Sequence, residues 1–188
     1  MTIKNTLIII GQFITVSLIL LLGFILVDMK IPGNGGLCDA EQIMLAGTWI
    51  IFIPLVFGII INSWIYYGKG KWKKYRIAII VITSIILFLS VFLRQIIMTT
   101  YYGKEKNVIE NENSTFIKIQ LFENGKFFAS TYDISCENEN IGTYSLKENI
   151  LKLNYKNEKS EYLETEYRIE NNDVKCLNCE DKYELKIK

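Results

Sequence analysis

The sequence predicts a membrane protein of two parts, three transmembrane α-helices followed by an all-β C-terminal domain, and three observations carry that prediction. The first 101 residues contain three apolar runs, at about 5–27, 43–67 and 77–100, each long enough for the ~20 helical residues that a ~30 Å hydrocarbon layer requires. The short link between the second and third runs holds Lys69, Lys71, Lys73, Lys74 and Arg76 and no acidic residue. Beyond residue 115 the apolar residues change from a helical period to a period of two, the signature of half-buried strands. The formal charge of +1 conceals this division, because residues 1–101 carry 8 basic and 3 acidic residues and residues 102–188 carry 13 and 17.

The basic link sets the expected topology. Lys and Arg are retained on the cytoplasmic side of a membrane, which places 69–76 and the amino terminus with Lys4 inside, and the 28–42 linker and everything after residue 101 outside. Many Asn, Lys, Ile and Tyr with 2 Pro and no His are the composition of an AT-rich bacterial coding sequence, so the expected location is the bacterial cytoplasmic membrane with the C-terminal domain extracytoplasmic. The first run exceeds a signal-peptide h-region and lacks a small-x-small cleavage site after it, so it is expected to remain as an anchor. Leu37 before Cys38 is too large for a lipid-attachment signal.

The first run, LIIIGQFITVSLILLLGFILV, is interrupted only by Gln12, Thr15 and Ser17, whose hydroxyls can bond the preceding helical turn. It stops at a Pro and Gly cluster, IPGNGG, that forms turns. The second helix is expected to begin near Gln42, with Trp49 toward its outer end and Trp64, Tyr66 and Tyr67 at its inner end as interfacial rings. Pro54 inside it is expected to bend it. The third run contains one charge, Arg94, about 26 Å along the axis from Ile77 at ~1.5 Å per residue. That depth is the outer interface, where the side chain is expected to snorkel into the headgroups; a partner-facing role is the alternative. Gly11 with Thr15, and Gly47 with Gly58, are small residues that permit close helix packing and leave a homo-oligomer open.

Residues 102–115, rich in Lys, Glu and Asn, are expected to form a helical extension or a linker without a core. Seven strands then follow, at Phe116–Phe122, Lys126–Tyr132, 142–147, Ile150–Tyr155, 162–169, 174–177 and 182–188, with Asn124-Gly125 and Glu148-Asn149 as turns. Ile117, Ile119, Leu121, Tyr144, Leu146, Leu151, Leu153, Leu163, Thr165, Tyr167 and Ile169 are expected to share the inner face. Short strands joined by tight turns predict an antiparallel meander that curls into a sandwich or small barrel over 116–188.

The residue inventory restricts chemistry. Without His, no Ser-His, Cys-His or His-metal mechanism is available. The acidic exterior half disfavours nucleic acid, which needs clustered cations, whereas the basic link suits anionic lipid headgroups. Cys38, Cys136, Cys176 and Cys179 all fall on the expected outer side, where disulfides persist. Cys136 is expected to pair with Cys176 or Cys179, with the remaining cysteine of that pair tying Cys38 to the β-domain. A redox Cys176-Leu177-Asn178-Cys179 motif would ordinarily open a helix, and a zinc site would ordinarily include His; no metal and no cofactor is expected. Glu164 and Glu166 stand two apart as paired carboxylates can in a hydrolase, but solvated strand faces look the same. Gly33-Asn34-Gly35-Gly36 lacks the Lys-Ser/Thr of a phosphate loop, and Asn113-Ser114-Thr115 fits a glycosylation sequon relevant only in a secretory eukaryotic host.

The series Phe122-Glu123-Asn124-Gly125-Lys126-Phe127, Gly142-Thr143-Tyr144 and Ile150-Leu151-Lys152-Leu153 resembles the small lipocalin-like β-meander domains of bacterial envelope proteins. The resemblance implies an aromatic at the barrel base, here Tyr144, and small apolar ligands in some members. The spacing here suits a filled interior rather than a wide cavity. The architecture also looks like the membrane effectors of bacterial cyclic-oligonucleotide defence (CBASS), which join membrane helices to a cytoplasmic nucleotide-sensing barrel. The leading expectation is a non-enzymatic integral membrane protein whose exterior β-domain binds a membrane or envelope protein, as an accessory subunit, sensor or immunity-type inhibitor. The alternative is a nucleotide-triggered effector, which requires residues 116–188 in the cytoplasm.

Overall fold

A computed structural model of the protein describes residues 3–34, 37–65, 73–111, 116–132, 136–177 and 185–188. The chain divides into two compact units, one formed by Met1–Lys30 with Gln42–Leu93 and the other by Ile31–Glu41 with Arg94–Lys188.

The helical unit is built on α1 (Ile3–Asp28), α2 (Asp39–Ile65) and α3 (Lys73–Ile97). Within them the stretches Ile10–Asp28, Gln42–Asn62 and Ile77–Tyr102 are long and apolar enough to cross a membrane. Its buried centre is small: Ile19 and Leu26 of α1 meet Phe52 and Val56 of α2. Gly23 is where α1 can be approached closely, because a Cβ there would collide with Ile86 of α3 and stand 3.5 Å from the Phe52 ring. By contrast a Cβ on Gly11, Gly47 or Gly58 would meet nothing within 4 Å, so among the described residues these three glycines have no close packing partner. Thr15 does bond the preceding turn, donating to the Gly11 carbonyl at 2.9 Å. Thr83 and Ser90, both buried, satisfy their hydroxyls in the same way, on the Ile79 and Leu87 carbonyls. α2 runs on through Pro54. Trp49 is half-buried against that centre, its ring edge-to-face with Phe52 at 6.0 Å.

The β unit is an up-and-down barrel. Its strands are β1 (Leu37–Cys38), β2 (Glu105–Glu110), β3 (Phe116–Phe122), β4 (Lys126–Tyr132), β5 (Cys136–Lys147), β6 (Ile150–Tyr155), β7 (Glu166–Glu170), β8 (Asp173–Cys176) and β9 (Leu185–Ile187). Every pairing is antiparallel, and β2 through β9 follow one another around a ring. β9 closes that ring on β2 through Ile109↔Ile187 and Glu110↔Lys186. β1 stands outside it, adding two residues to the edge of β5 where β6 has not yet joined. Closure leaves the ring without a free edge.

Local chemistry explains the turns. Glu148 and Asn149 adopt positive φ (49° and 65°), as do Asn171 and Asn172 (48° and 75°), the tight-turn geometry that suits the right-handed twist of a hairpin. Gly125, at φ 78°, ends a three-residue connection in which its N–H donates to the Phe122 carbonyl at 3.1 Å. Gly142 is required for a different reason: a Cβ there would overlap the Asn154 carbonyl and stand 2.7 Å from the Phe127 ring.

Twelve described side chains fill the interior, among them Ile109, Ile117, Ile119, Leu121, Phe127, Leu151, Leu153, Leu163, Tyr167, Val174 and Leu185. β4 is buried on both faces. Phe127, Ala129 and Thr131 point inward, while Phe128 packs outward with Phe122 under Tyr102, in the π-helical turn Met98–Tyr102 that follows α3.

Several expectations are corrected. Residues 102–115 are not a plain linker, since they contain β2, which supplies the closing seam and buries Ile109 completely. β5 begins at Cys136 rather than Gly142. The fifth expected strand starts at Glu166 instead of Tyr162, because 156–165 leave the sheet and carry Leu163 into the core. Leu146 faces out at 41 % exposure, and Thr165 is exposed. Cys136 pairs with Cys38, not with Cys176 or Cys179, because β1 lies directly beside β5 in register Cys38↔Cys136.

Candidate functional site

The first half of β5 gathers most of the unusual chemistry of the β unit. Its sequence, CENENI, has no apolar alternation; it is a strand through its pairing with β4 from Tyr132↔Glu137 to Phe128↔Ile141, and partners outside that pair take up the Glu139 and Asn140 side chains. Glu139, whose side chain is only 2 % exposed, receives the Arg94 guanidinium on Oε1 at 2.5 Å and the Gly33 N–H on Oε2 at 2.9 Å. Both oxygens of a buried carboxylate are thereby bonded, the condition for a charge to be tolerated there. The Arg94 guanidinium also lies over the Phe128 ring at 5.1 Å, a cation–π contact. Arg94 is thus corrected from a snorkelling residue to the partner of Glu139.

Asn140 and Asn157 complete the arrangement. The Asn140 amide donates to the Glu158 carbonyl at 2.6 Å and accepts from the Ser160 N–H at 3.3 Å. Asn157 donates to the Glu139 carbonyl at 2.7 Å and accepts from the Ile141 N–H at 3.0 Å. These two amides replace the strand-to-strand ladder that β6 no longer supplies. Between residues 33–34, 138–140 and 157–161 lies a polar cleft of about 510 Å³. Burial and the nearby Glu139 carboxylate raise the Glu137 carboxyl above its ordinary range, against the opposing pull of Arg94.

Segment 156–165 is held to the barrel by tyrosines. Tyr155 donates to the Glu164 carbonyl and the Tyr167 hydroxyl accepts from the Glu164 N–H, both at 2.7 Å. Burial pushes the Tyr167 hydroxyl up to about 12 and raises Tyr155 further, so both stay protonated. Tyr144 donates to the Phe122 carbonyl at 2.9 Å while packing against the core.

The remaining expected site residues are distributed as follows. Cys38 and Cys136 are bonded to each other, and Cys176 is also disulfide-bonded; Cys179 lies outside the described residues. Lys69, Lys71 and the Asn113 sequon are likewise outside them, as are the side chains of Trp64, Lys73, Lys74 and Arg76. Glu164 and Glu166 do not form a carboxylate pair, since Lys159 binds the first at 2.9 Å and Lys152 the second at 2.7 Å. Among the described residues no group of three His, Cys, Asp or Glu is placed to hold a metal ion. Sequence reasoning missed Glu139 and Gly33. The available signal was Arg94 itself, a charge inside an apolar run that demands a carboxylate.

The class these features define is a closed eight-stranded up-and-down barrel joined to three membrane-length apolar helices. Compared with known proteins, the chain matches no family model, no curated protein and no solved structure.

Proposed function

We propose that this is a non-enzymatic integral protein of the bacterial cytoplasmic membrane that displays its barrel on the outer side and binds another membrane or envelope protein there. The observation that carries the reading is the Cys38–Cys136 disulfide, because such bonds persist in oxidising compartments and are rare in cytosol. Three spans would put the basic link carrying Lys69 to Arg76 on the side opposite to residues 31–41, in agreement with retention of positive charge inside. The filled interior of the barrel favours recognition through its outer surface and the cleft beside 157–161, which suits a protein partner better than a small apolar ligand.

The test is labelling of intact cells with a membrane-impermeant maleimide, with and without prior external reduction, scored on Cys136. Labelling that appears only after reduction is the expected outcome. Labelling without reduction, and only after lysis, would move the barrel to the cytoplasm and favour the nucleotide-triggered effector instead.

A further inference from the structure

Packing and charge divide the chain at the same places. The two compact units separate at Lys30/Ile31, Glu41/Gln42 and Leu93/Arg94. No Asp, Glu, Lys or Arg lies between Asn5 and Val27, between Gln42 and Tyr67, or between Ile77 and Leu93, and the first charges met beyond those runs toward the barrel are Asp28, Glu41 and Arg94. α3 differs from the other two helices in that its apolar character continues past its charge. Ile77–Tyr102 is 26 residues long, about 39 Å at the α-helical rise, against ~30 Å for a hydrocarbon layer. Tilt is the ordinary way to absorb such an excess, and the groups bonded to residues 94–102 obstruct it. Arg94 holds the Glu139 carboxylate, and the Tyr101 carbonyl accepts from the Asn124 amide at 3.1 Å and from the Lys126 ammonium at 2.9 Å. That ammonium also lies 3.1 Å from the centre of the Tyr101 ring. Ile97, Met98 and Tyr102 pack against Phe122 and Phe128, so protein covers them where acyl chains would lie along a spanning helix. Immersing α3 as far as Tyr102 would draw Lys126 and Asn124 into hydrocarbon with it, which is costly. Ile77–Leu93 alone covers about 26 Å, enough to cross with charges at both ends.

We propose that the lipid surface on the barrel side meets this chain at Lys30, Glu41 and Arg94. α3 is covered by acyl chains from Ile77 to Leu93, and residues 94–102 stand beyond the hydrocarbon as a stalk bonded to the barrel wall. The exposed side chains of the stalk, Ile96, Thr99, Thr100 and Tyr101, then face headgroups and water. The Arg94–Glu139 pair fixes the level from both directions. Moving it inward would carry a carboxylate into hydrocarbon, and moving it outward would transfer Val91 and Phe92, both exposed on α3, from lipid to water. This boundary rests on the reading that the helices span a bilayer, and it is the same whichever side the barrel occupies.

The experiment is cysteine accessibility in the full-length protein, reconstituted in phosphatidylcholine nanodiscs that leave both bilayer faces open to water. One cysteine is added at a time, as Val81→Cys, Phe88→Cys, Ile96→Cys or Thr100→Cys, all at exposed positions, with Lys147→Cys on the barrel as the aqueous reference. The rate of reaction with a water-soluble maleimide is measured, and the rate after denaturation in dodecyl sulfate calibrates each thiol. Because only the hydrated thiolate reacts, Ile96→Cys and Thr100→Cys are expected within about 10-fold of Lys147→Cys, and Val81→Cys and Phe88→Cys at least about 100-fold slower. Reaction at Ile96→Cys and Thr100→Cys as slow as at Phe88→Cys would overturn the stalk while leaving α3 in the bilayer. Fast reaction at all four positions would overturn the spanning reading itself, and the boundary with it.

Discussion

The helical unit and the barrel spend their apolar residues in opposite ways. α1 turns Phe13 and Phe24 outward at 73 % and 68 % exposure, and α2 does the same with Met44 and Ile50 at 72 % and 71 %, while the buried apolar residues at the centre, Ile19, Leu26, Phe52 and Val56, form one small cluster. The barrel inverts this along β6, which keeps Leu151 and Leu153 inside and turns Lys152 and Asn154 outside. The difference is the pattern expected of a chain written for two solvents. Lipid tails are as apolar as leucine, so helices in a bilayer gain nothing from hiding side chains from them, whereas the barrel depends on removing area from water.

The sharpest way to break this comparison is to truncate one phenylalanine in each unit. Phe127→Ala empties a fully buried position and is expected to cost the barrel about 3–5 kcal/mol. Phe13→Ala is expected to leave thermal unfolding in detergent within about 0.5 kcal/mol of wild type. An equal cost at both positions would mean that α1 is covered by protein and not by lipid.

Glycine gives the next contrast. Gly142→Ala forces a Cβ against the Asn154 carbonyl and Phe127, and about 3 kcal/mol of destabilisation is expected from such overpacking. Gly58→Ala meets open space and is expected to be neutral, or stabilising by up to about 1 kcal/mol through helix propensity. Denaturation of the two variants side by side decides it, and a destabilising Gly58→Ala would place a second copy of the chain on that face.

A smaller effect is expected at Glu139→Gln, which leaves Arg94 charged without its carboxylate. Breaking a buried pair costs about 3–5 kcal/mol, but Arg94 is 36 % exposed and can be hydrated, so about 1–2 kcal/mol is expected from thermal melts. The smallest is a pH effect at the barrel seam. The Lys188 ammonium holds the Glu110 carboxyl below its ordinary range, partial burial opposes it, and Lys118 at 3.3 Å adds to the lowering. A carboxyl lowered by folding contributes stability that is present above its unfolded value and is lost as pH falls through the folded one. Melting temperature is therefore expected to drop more steeply below the ordinary carboxylate range in wild type than in Glu110→Gln.

What could be read from the residues follows the same division. β3, β4 and β6 were legible to their end residues, β3 and β6 because they alternate apolar and polar positions, and β4 because the Asn124-Gly125 turn leads directly into it. β2 was not, because Val108 and Ile109 sit among Glu105, Lys106, Asn107 and Glu110, and its strand state depends on β3 and β9 lying on either side. The first half of β5 was hidden for a related reason: it pairs with β4 without an apolar alternation to mark it, and the groups that take up its polar atoms, Arg94, Gly33 and Asn157, are distant in sequence. Arg94 announced that it needed a carboxylate, but 20 acidic residues were on offer, and only the fold selects Glu139. The cysteines were legible as disulfide partners and not as pairs, because connectivity depends on which strand lies beside β5.

The seam between β2 and β9 has a consequence for how the molecule is made. β2 leaves the ribosome roughly 75 residues before β9, so at synthesis rates of ~5–20 residues per second its outer edge waits about 4–15 s for a partner. During that interval the nascent domain is a curved sheet with an unpaired flank, the form most exposed to pairing with another chain. The charges of Glu105, Lys106 and Glu110, which obscure β2 as a strand, are gatekeepers suited to that waiting period.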